Sequence, residues 1–302
     1  MTSTQLENTA FYLSREDCGV WVLTFDLPGK VNVMTDTFIT STEEALATLE
    51  TNVGECAGVI ITSAKRTFFA GGDLAMMLTA ELGQEGAVFA HFERLKGLLR
   101  RFERLGVPVV AAINGTALGG GLEFCLAAHH RIAVPGPKVE LGLPEVDFGI
   151  LPAAGGVVRL TRLLGRERAL PFLLGGKRST VEQALAAGII DRIASDNAEM
   201  MALARQWALE HRDAKQPWDS RAMPESQGDA GDEVAQGESD PDNEAVAEIA
   251  RIARLAERID FDEALREETH GFVKLVMTSN AKRRIDQFFQ RNAARQSPQG
   301  SN

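Results

Sequence analysis

The stretch Asn114 to Glu123, NGTALGGGLE, decides the fold, because its three consecutive glycines separate two apolar segments. The run VPVVAAI at residues 107–113 precedes it, and the apolar residues 122–128 follow it, which predicts a strand, a glycine turn and a helix start. Glycines let a ligand approach the backbone closely, and free N–H groups at a helix start favour an oxygen that becomes negative during a reaction. Tight packing of a helix against a strand explains a glycine run equally well.

The same alternation of strand and helix patterns continues on both sides of this stretch. Apolar, β-branched runs predict strands at residues 19–25, 58–62, 107–113 and 130–134. Apolar residues at helical spacing predict helices at residues 37–49, 89–105, 159–164 and 181–187. Alternation of this kind predicts a layered α/β catalytic domain, which we place at residues 1–210.

The composition changes after about residue 211. Between Glu225 and Glu244 there are eight acidic residues and no basic ones, so residues 211–244 are predicted to form an acidic flexible linker. Helical periodicity returns at residues 245–258, 261–277 and 280–290. Residues 245–302 are therefore predicted to form a helical C-terminal region that packs back on the domain or against a neighbouring chain.

Composition and charge exclude several classes of function. A net charge of −10 argues against nucleic acid, whose binding needs clustered Lys and Arg. No apolar stretch reaches about 18 residues, so neither a membrane span nor a secretion signal is expected, and a cytoplasmic location is predicted. The cysteines, Cys18, Cys56 and Cys125, lack CxxC spacing and are expected to be reduced thiols without a metal.

A second glycine segment, FFAGGDL at residues 68–74, also follows a predicted strand. If the backbone N–H groups of Gly72 and Gly120 converge on one carbonyl oxygen, they form an oxyanion hole in which each donor supplies roughly 3 kcal/mol. Such an arrangement stabilises an enolate.

Two glutamates accompany these glycines. Glu123 opens the helix after the glycine turn, and Glu145 follows Pro144 in the loop LGLPEVDFG. Taken alone, each glutamate has a non-catalytic explanation. Glu123 could complement the positive end of the helix dipole, and Glu145 could be a solvent-exposed acid in a loop. Together, near an oxyanion hole, two carboxylates can orient a water, one taking its proton while the other protonates a carbon. In contrast, Cys125 within its apolar helix is expected to be inert, and His129 and His130 are expected only to end that helix.

The segments FFAGGDL, NGTALGGGLE and LGLPEVDFGILPAAGGVVRL resemble, in order and spacing, the enoyl-CoA hydratase/isomerase or crotonase family. The resemblance spans roughly residues 20–200 and implies a fold of stacked short β-sheets built from β-β-α units and flanked by helices. It implies that Glu123 and Glu145 are the acid/base pair and that Gly72 and Gly120 form the oxyanion hole. It also implies a coenzyme A and thioester site lined by Lys30, Val31, Ala70, Gly71, Asp73 and Leu74.

The activity implied by this resemblance is hydration of 2-trans-enoyl-CoA to 3-hydroxyacyl-CoA in fatty-acid or related acyl-CoA catabolism. Coenzyme A is part of the substrate, so no metal and no redox cofactor are expected. Many relatives are trimers or dimers of trimers, which implies a homo-oligomer, a trimer or hexamer, with association with other β-oxidation enzymes as a further expectation.

The C-terminal sequence IDFDEALREETHGFVKLVMTSNAKRRIDQFF resembles the linker-helix region that follows the hydratase half of multifunctional fatty-acid oxidation enzymes. In those enzymes a dinucleotide-binding domain comes next. This chain contains no strand-borne GxGxxG, so it is not expected to oxidise the 3-hydroxyacyl product.

Three alternatives to hydration remain open at the level of sequence. An enoyl-CoA isomerase would use Glu145 alone to move a proton along the acyl chain. A non-catalytic crotonase-fold binding protein would use the helical tail to hold a partner. Thioester hydrolysis would direct water to the carbonyl carbon and release a free thiol.

Overall fold

The computed structural model describes residues 2–5, 10–220 and 243–296. Most of the predicted acidic linker lies outside these residues. The domain bounds stay a prediction, but the chain just before residue 220, which they assign to the linker, packs on the domain. Gln216 is buried and donates a hydrogen bond to the Ala127 carbonyl at 2.8 Å, and Trp218 stacks on Phe261 with ring centroids 4.8 Å apart.

The strands of the described residues form two sheets. Their bounds are Thr2–Gln5 (β1), Phe11–Arg15 (β2), Val20–Phe25 (β3), Gly58–Ser63 (β4), Val109–Ile113 (β5), Ala117–Leu118 (β6), His130–Ala133 (β7), Leu141–Gly142 (β8), Arg178–Ser179 (β9) and Arg192–Ile193 (β10). The larger sheet has the order β1-β2-β3-β4-β5-β7-β10, antiparallel from β1 to β3 and parallel from β3 onward. The smaller sheet has the order β6-β8-β9.

Helices pack on both faces of the larger sheet. Their bounds are Asp36–Thr51 (α1), Leu74–Thr79 (α2), Glu85–Glu103 (α3), Gly120–Ala127 (α4), Gly156–Leu164 (α5), Arg166–Leu174 (α6), Val181–Ala187 (α7), Asn197–Glu210 (α8), Pro217–Ser220 (α9), Glu244–Ala256 (α10), Phe261–Val276 (α11) and Ser279–Gln296 (α12). Short 3-10 helices lie at Val53–Glu55 and Glu145–Phe148.

Strand alternation explains why the central strands are apolar on both faces. On β3, Trp21, Leu23 and Phe25 belong to the main core, whereas Val20 and Val22 belong to a second core on the opposite face. Helix α8 covers that second face with three small or flexible apolar residues, Met200, Ala204 and Ala208. The sheet is therefore buried on both sides, as the layered α/β prediction requires.

The predicted strands at residues 19–25, 58–62, 107–113 and 130–134 are confirmed as β3, β4, β5 and β7. Strand β5 begins at Val109, two residues later than predicted. The preceding residue is Pro108, which has no N–H to give to a neighbouring strand. The predicted helices are also present, although α3 and α5 begin before their predicted starts. The three strands of the smaller sheet have two residues each, too few to show a period in the sequence, and β2 was not predicted either.

The C-terminal helices pack back on the same chain. Helix α10 contacts α5 and α6, α11 contacts α3 and α5, and α12 contacts α2. Within the part of the chain that the structure describes, no helix has the length and apolar character needed to cross a membrane. The homo-oligomer inferred from the family resemblance stays a prediction.

Candidate active site

The two glycine segments run side by side. A β-bridge joins Phe69 to Ala117, and the Leu118 N–H donates to the Phe69 carbonyl at 3.0 Å. A Cβ added to Gly71 would lie 3.3 Å from the Leu118 carbonyl oxygen, so the two backbones touch there. The structure therefore brings together the two segments that the sequence analysis placed at one site.

Aromatic packing in the core holds both segments in place. The Phe25 ring on β3 makes edge-to-face contacts with Phe69, at a centroid distance of 5.6 Å, and with Phe124 of α4, at 5.2 Å. Edge-to-face ring pairs are favourable beyond the area that they bury. One phenylalanine on the sheet thus anchors a residue next to each glycine turn.

Two glycines of the turn allow contacts that no side chain would permit. A Cβ at Gly120 would lie 2.5 Å from Met34 Sδ, and a Cβ at Gly119, where φ is +52°, would lie 2.6 Å from Glu145 Oε1. Both distances are shorter than van der Waals contact, and a positive φ is strained for other residues. Glycine thus allows the close approach of residue 119 to the candidate catalytic side chain of Glu145 and of residue 120 to Met34.

The backbone N–H groups of Gly72 and Gly120 are available to a ligand. Neither of them donates in any hydrogen bond between described residues, and both glycines line one cavity. Gly120 is the first residue of α4, where the helix leaves its N–H groups without an internal acceptor. Two free amides that line one cavity meet the donor requirement of an oxyanion hole, and the assignment of Gly72 and Gly120 to such a hole stays a prediction.

Glu123 is a buried carboxylate in the first turn of α4. Its Oε1 accepts hydrogen bonds from the N–H groups of Ala154 and Gly156, each at 2.7 Å. Its Oε2 takes no hydrogen bond from the described residues, and Glu123 lines the cavity. Burial, and then the negative charge of Glu268, raise the pKa of Glu123 to about 8, although the two amides act in the opposite direction.

Glu145 begins the 3-10 helix after Pro144 and faces the same cavity. Its Oε2 is shielded from solvent and has no hydrogen-bond partner among the described residues. Desolvation, and then the charge of Glu123, raise the pKa of Glu145 well above its usual value. Since the charge of one carboxylate acts on the other, the two predicted acid/base residues share one electrostatic environment.

The cavity has an empty volume of about 830 Å³, including its open mouth. Its wall is largely apolar and is formed by elements that are far apart in the sequence. The apolar side chains of the wall include Phe92 and Leu95 of α3, Leu151, Phe272 of α11 and Phe288 of α12. A cavity with an apolar interior and few polar groups is typical of a small-molecule site.

Of the six residues predicted to contact coenzyme A, Ala70, Gly71, Asp73 and Leu74 line the cavity. Asp73 also has a structural role, because its carboxylate caps α2 by accepting from the N–H groups of Ala75 and Met76. The other two, Lys30 and Val31, lie outside the cavity wall.

The loop that carries Lys30 and Val31 is tied to the site by buried Asn32. Its Oδ1 accepts from the Leu27 N–H at 3.0 Å, and its Nδ2 donates to the Phe68 carbonyl at 2.9 Å. Sequence analysis did not single out Asn32.

The residues set aside as non-catalytic lie in the core or away from the cavity wall. Cys125 is buried, and burial raises the pKa of its thiol. The Nδ1 of His129 accepts a hydrogen bond from the Val109 N–H at 2.9 Å, just after the end of α4. Neither residue lines the cavity.

Two further charged residues near Glu123 were missed, Lys96 and Glu268. The Lys96 Nζ lies 3.1 Å from Glu268 Oε1, and both side chains are almost fully buried. A sequence signal existed, because each residue lies on the apolar stripe of its helix: Glu268 is four residues from both Ala264 and Phe272. A charged residue on such a stripe needs a partner.

Comparison with known proteins identifies the family. The family model described as Enoyl-CoA hydratase/isomerase matches residues 15–238. The match covers most of the chain, and the glycine segments and both glutamates fall within it. The chain belongs to the enoyl-CoA hydratase/isomerase family.

Individual relatives point to the same family. The Fatty acid oxidation complex subunit alpha of Shewanella loihica is 38% identical over 212 residues, which cover 69% of this chain and 29% of that protein. The subunit of the same name from Pseudomonas syringae pv. tomato is 33% identical over 294 residues, which cover 93% of this chain and 40% of that protein. The chain thus spans less than half the length of either relative.

Among solved structures, human mitochondrial delta3-delta2-enoyl-CoA isomerase has the same fold. Its TM-score is 0.71 at 21% identity, with 96% of this chain and 100% of that chain covered. At this level of identity the likeness concerns the fold, and it confirms the predicted crotonase-type architecture with its C-terminal helices.

Proposed function

We propose that this chain hydrates 2-trans-enoyl-CoA to 3-hydroxyacyl-CoA in fatty-acid or related acyl-CoA catabolism. The observation that carries the proposal is the pair Glu123 and Glu145, which face one cavity, each with a carboxyl oxygen that has no protein donor. The free amides of Gly72 and Gly120 line the same cavity. Membership of the family supports this assignment.

The two glutamates are suited to different steps. Glu123 keeps two amide donors, which favour its charged form, so it is the residue that takes a proton from water. The water oxygen then bonds to the β carbon, and the π electrons move to the thioester oxygen, held by the amides of Gly72 and Gly120. Glu145, whose Oε2 has no donor to stabilise a charge, protonates the α carbon.

This reaction needs no electron carrier, because the elements of water are added without a change of overall oxidation state. It is also reversible, and the proton taken by Glu123 returns to solvent or to Glu145 before the next cycle. The expectation of no metal or redox cofactor is consistent with this chemistry and remains part of the proposal, as does a cytoplasmic location.

A second activity, double-bond isomerisation, has one observation in its favour. Glu145 Oε2 accepts no hydrogen bond from the described residues, whereas the Glu123 carboxylate is restrained by two amides at its Oε1. An isomerase needs one carboxyl group to remove and return a proton, and Glu145 meets that need alone.

The test supplies the purified protein with a 2-trans-enoyl-CoA in ¹⁸O-labelled water and, separately, with a 3-enoyl-CoA. Hydration predicts a 3-hydroxyacyl-CoA that carries the label at the hydroxyl group. An isomerase would instead convert the 3-enoyl-CoA to the 2-enoyl-CoA. It would form no ¹⁸O-labelled product from the 2-enoyl-CoA. If the folded protein acts on neither thioester and releases no free thiol, the remaining alternative is a non-catalytic binding protein.

A further inference from the structure

The start of α5 is held by two buried carboxylates from different parts of the chain. Glu123 of α4 accepts from the N–H groups of Ala154 and Gly156, as described above. Glu268 of α11 binds the amide between them, since its Oε1 accepts from the Gly155 N–H at 2.7 Å. Its Oε2 accepts from the Val158 N–H at 3.1 Å. The amides that a helix start leaves without partners are thus shared between the two glutamates.

Glu268 has a buried counter-ion. The ammonium of Lys96 on α3 lies 3.1 Å from Glu268 Oε1, and it also donates to Thr269 Oγ1 at 2.8 Å and to the Leu265 carbonyl. Glu268 is 0% exposed and Lys96 is 3% exposed. All three ammonium protons therefore have acceptors, and the ion pair is fixed in one geometry.

We propose that Glu268 is a positioning residue for the reaction, which holds the start of α5 and thereby fixes the carboxylate of Glu123, with Lys96 as its counter-ion. This inference rests on the proposed function, since it assigns Glu123 a part in the chemistry. It gives the C-terminal region a role in the catalytic site beyond that of forming a wall of the cavity.

A role in stability alone does not explain the pair. Buried ion pairs are often no more stabilising than apolar residues of the same size, because both charges lose their hydration. An apolar pair at these positions would leave the amides of Gly155 and Val158 without acceptors. The Glu268 carboxylate accepts hydrogen bonds from the segment that binds Glu123. An apolar residue could not do so.

Charged groups from every neighbouring element act on this site. They are Lys96, Glu93 and Glu103 from α3, Glu123 from α4, Glu145 from the 3-10 helix, Glu268 from α11, and Arg159 from α5, which pairs with Glu103 and donates to the Ala154 carbonyl. The Glu268 charge raises the pKa of Glu123, whereas the Lys96 charge lowers it. Removing these two charges singly must therefore shift the titration of Glu123 in opposite directions.

The experiment follows the side-chain carboxyl of Glu123 by NMR in protein labelled with ¹³C at the glutamate carboxyl carbon. The resonance is assigned from its loss in Glu123→Gln. The variants are Glu268→Gln, Lys96→Met and the double variant. The matched control is Glu267→Gln, which removes the carboxylate next to Glu268 in the sequence. The Glu267 side chain pairs with Arg251 and is 36% exposed.

We expect the pKa of Glu123 to fall by about one unit or more in Glu268→Gln and to rise in Lys96→Met. It should stay at the wild-type value in Glu267→Gln. The double variant should return toward the wild-type pKa, because it removes charges of opposite sign, and it also serves as the test should a single variant fail to fold. Unchanged titration of Glu123 in folded variants would overturn the proposal.

A kinetic measurement separates positioning from charge. Glu268→Gln and the double variant should both lower kcat by at least about 10-fold with a smaller change in KM, because glutamine has one acceptor oxygen in place of the two that hold the Gly155 and Val158 amides. A kcat equal to that of Glu267→Gln would contradict the proposal. If the wild-type protein hydrates no enoyl-CoA, the proposed function fails, and the NMR titration still decides whether Glu268 and Lys96 control Glu123.

Discussion

Phe92 of α3 and Phe272 of α11 pack with their ring centroids 4.3 Å apart, and both side chains line the cavity that contains the two glutamates. The contact joins the catalytic domain to the C-terminal helical region. Because Phe272 is fully buried, the inner wall of the cavity depends on the position of α11. The C-terminal helices therefore take part in shaping the site.

Replacing Phe272 by leucine should change the preference for acyl chain length. The smaller side chain removes part of the inner wall, so kcat/KM should rise for longer 2-enoyl-CoA substrates relative to crotonyl-CoA, by about 10-fold or less per added methylene. The measurement is the ratio of kcat/KM values over a series of chain lengths. Phe289→Leu, which changes a partly exposed ring on α12, is the control, and an identical ratio in both variants would refute the prediction.

Replacing Lys282 by methionine should weaken substrate binding. The Lys282 ammonium on α12 donates to the carbonyls of Met77 and Leu78 at 2.7 and 2.9 Å, and it also contacts the Ala80 carbonyl. These carbonyls belong to the end of α2, and residues of α2 line the cavity. Loss of the hydrogen bonds from Lys282 should therefore loosen that part of the cavity wall.

We expect KM to rise about 10-fold and kcat to change by less than about 3-fold, since α2 carries neither glutamate. Steady-state kinetics over a range of enoyl-CoA concentrations checks this. The exposed Lys274→Met variant on α11 should behave as wild type. A loss confined to kcat would mean that Lys282 supports the chemistry and not the binding wall.

Replacing Gly120 by alanine should abolish most activity. The added Cβ would lie 2.5 Å from Met34 Sδ, so either the Met34 side chain, which lines the cavity, or the turn that carries the proposed oxyanion donor must shift. Loss of one such donor reduces kcat about 100-fold or more. Gly97→Ala, on the exposed face of α3 with no atom near its added Cβ, is the control and should be as active as wild type. Equal kcat in the two variants would contradict this prediction, since it would show that the added Cβ does not disturb the site.

The raised pKa of Glu123 predicts how stability depends on pH. In the folded protein this pKa is about 8, above the unfolded value of 4.5, so the folded state favours the protonated form. The stabilisation from this group is complete below pH 4.5 and is lost as pH rises to about 8. At higher pH the wild-type protein carries the cost of a buried charge, with an upper limit of about 5 kcal/mol.

Glu123→Gln lacks this cost and keeps an oxygen for the two amides. Its Tm should therefore exceed that of wild type at pH 9, and the difference should shrink toward pH 5. Thermal unfolding followed by circular dichroism across this range provides the measurement, with the exposed Glu81→Gln as the control. A Tm difference that does not depend on pH would show that Glu123 does not titrate as described.

Much of the site was visible in the sequence because its parts are local. The segments around Gly72 and Gly120 each follow a buried strand, and parallel strands deliver their carboxyl ends to the same edge of a sheet. Apolar runs on those strands fixed the order of strand and helix. The positions of Glu123 and Glu145 followed from their places beside the turn and the Pro144 loop.

The rest depends on contacts between distant parts of the chain, which a single sequence does not record. Lys96 and Glu268 are 172 positions apart, and their pairing appears only when α11 packs on α3. The same holds for Phe92 and Phe272. Trp218 could not be separated from the acidic linker by composition, because its contact with Phe261 is made across the fold.

The central claim, that Glu145 acts with Glu123 in hydration, is tested most directly by the loss of ultraviolet absorbance of a conjugated 2-enoyl-CoA. The rates of wild type, Glu145→Gln and Glu123→Gln are compared at equal protein concentration, with folding checked by circular dichroism. The account predicts rapid loss with wild type and at least about 100-fold slower loss with each variant. Wild-type rates in a folded Glu145→Gln protein, or no loss with folded wild type, would contradict it.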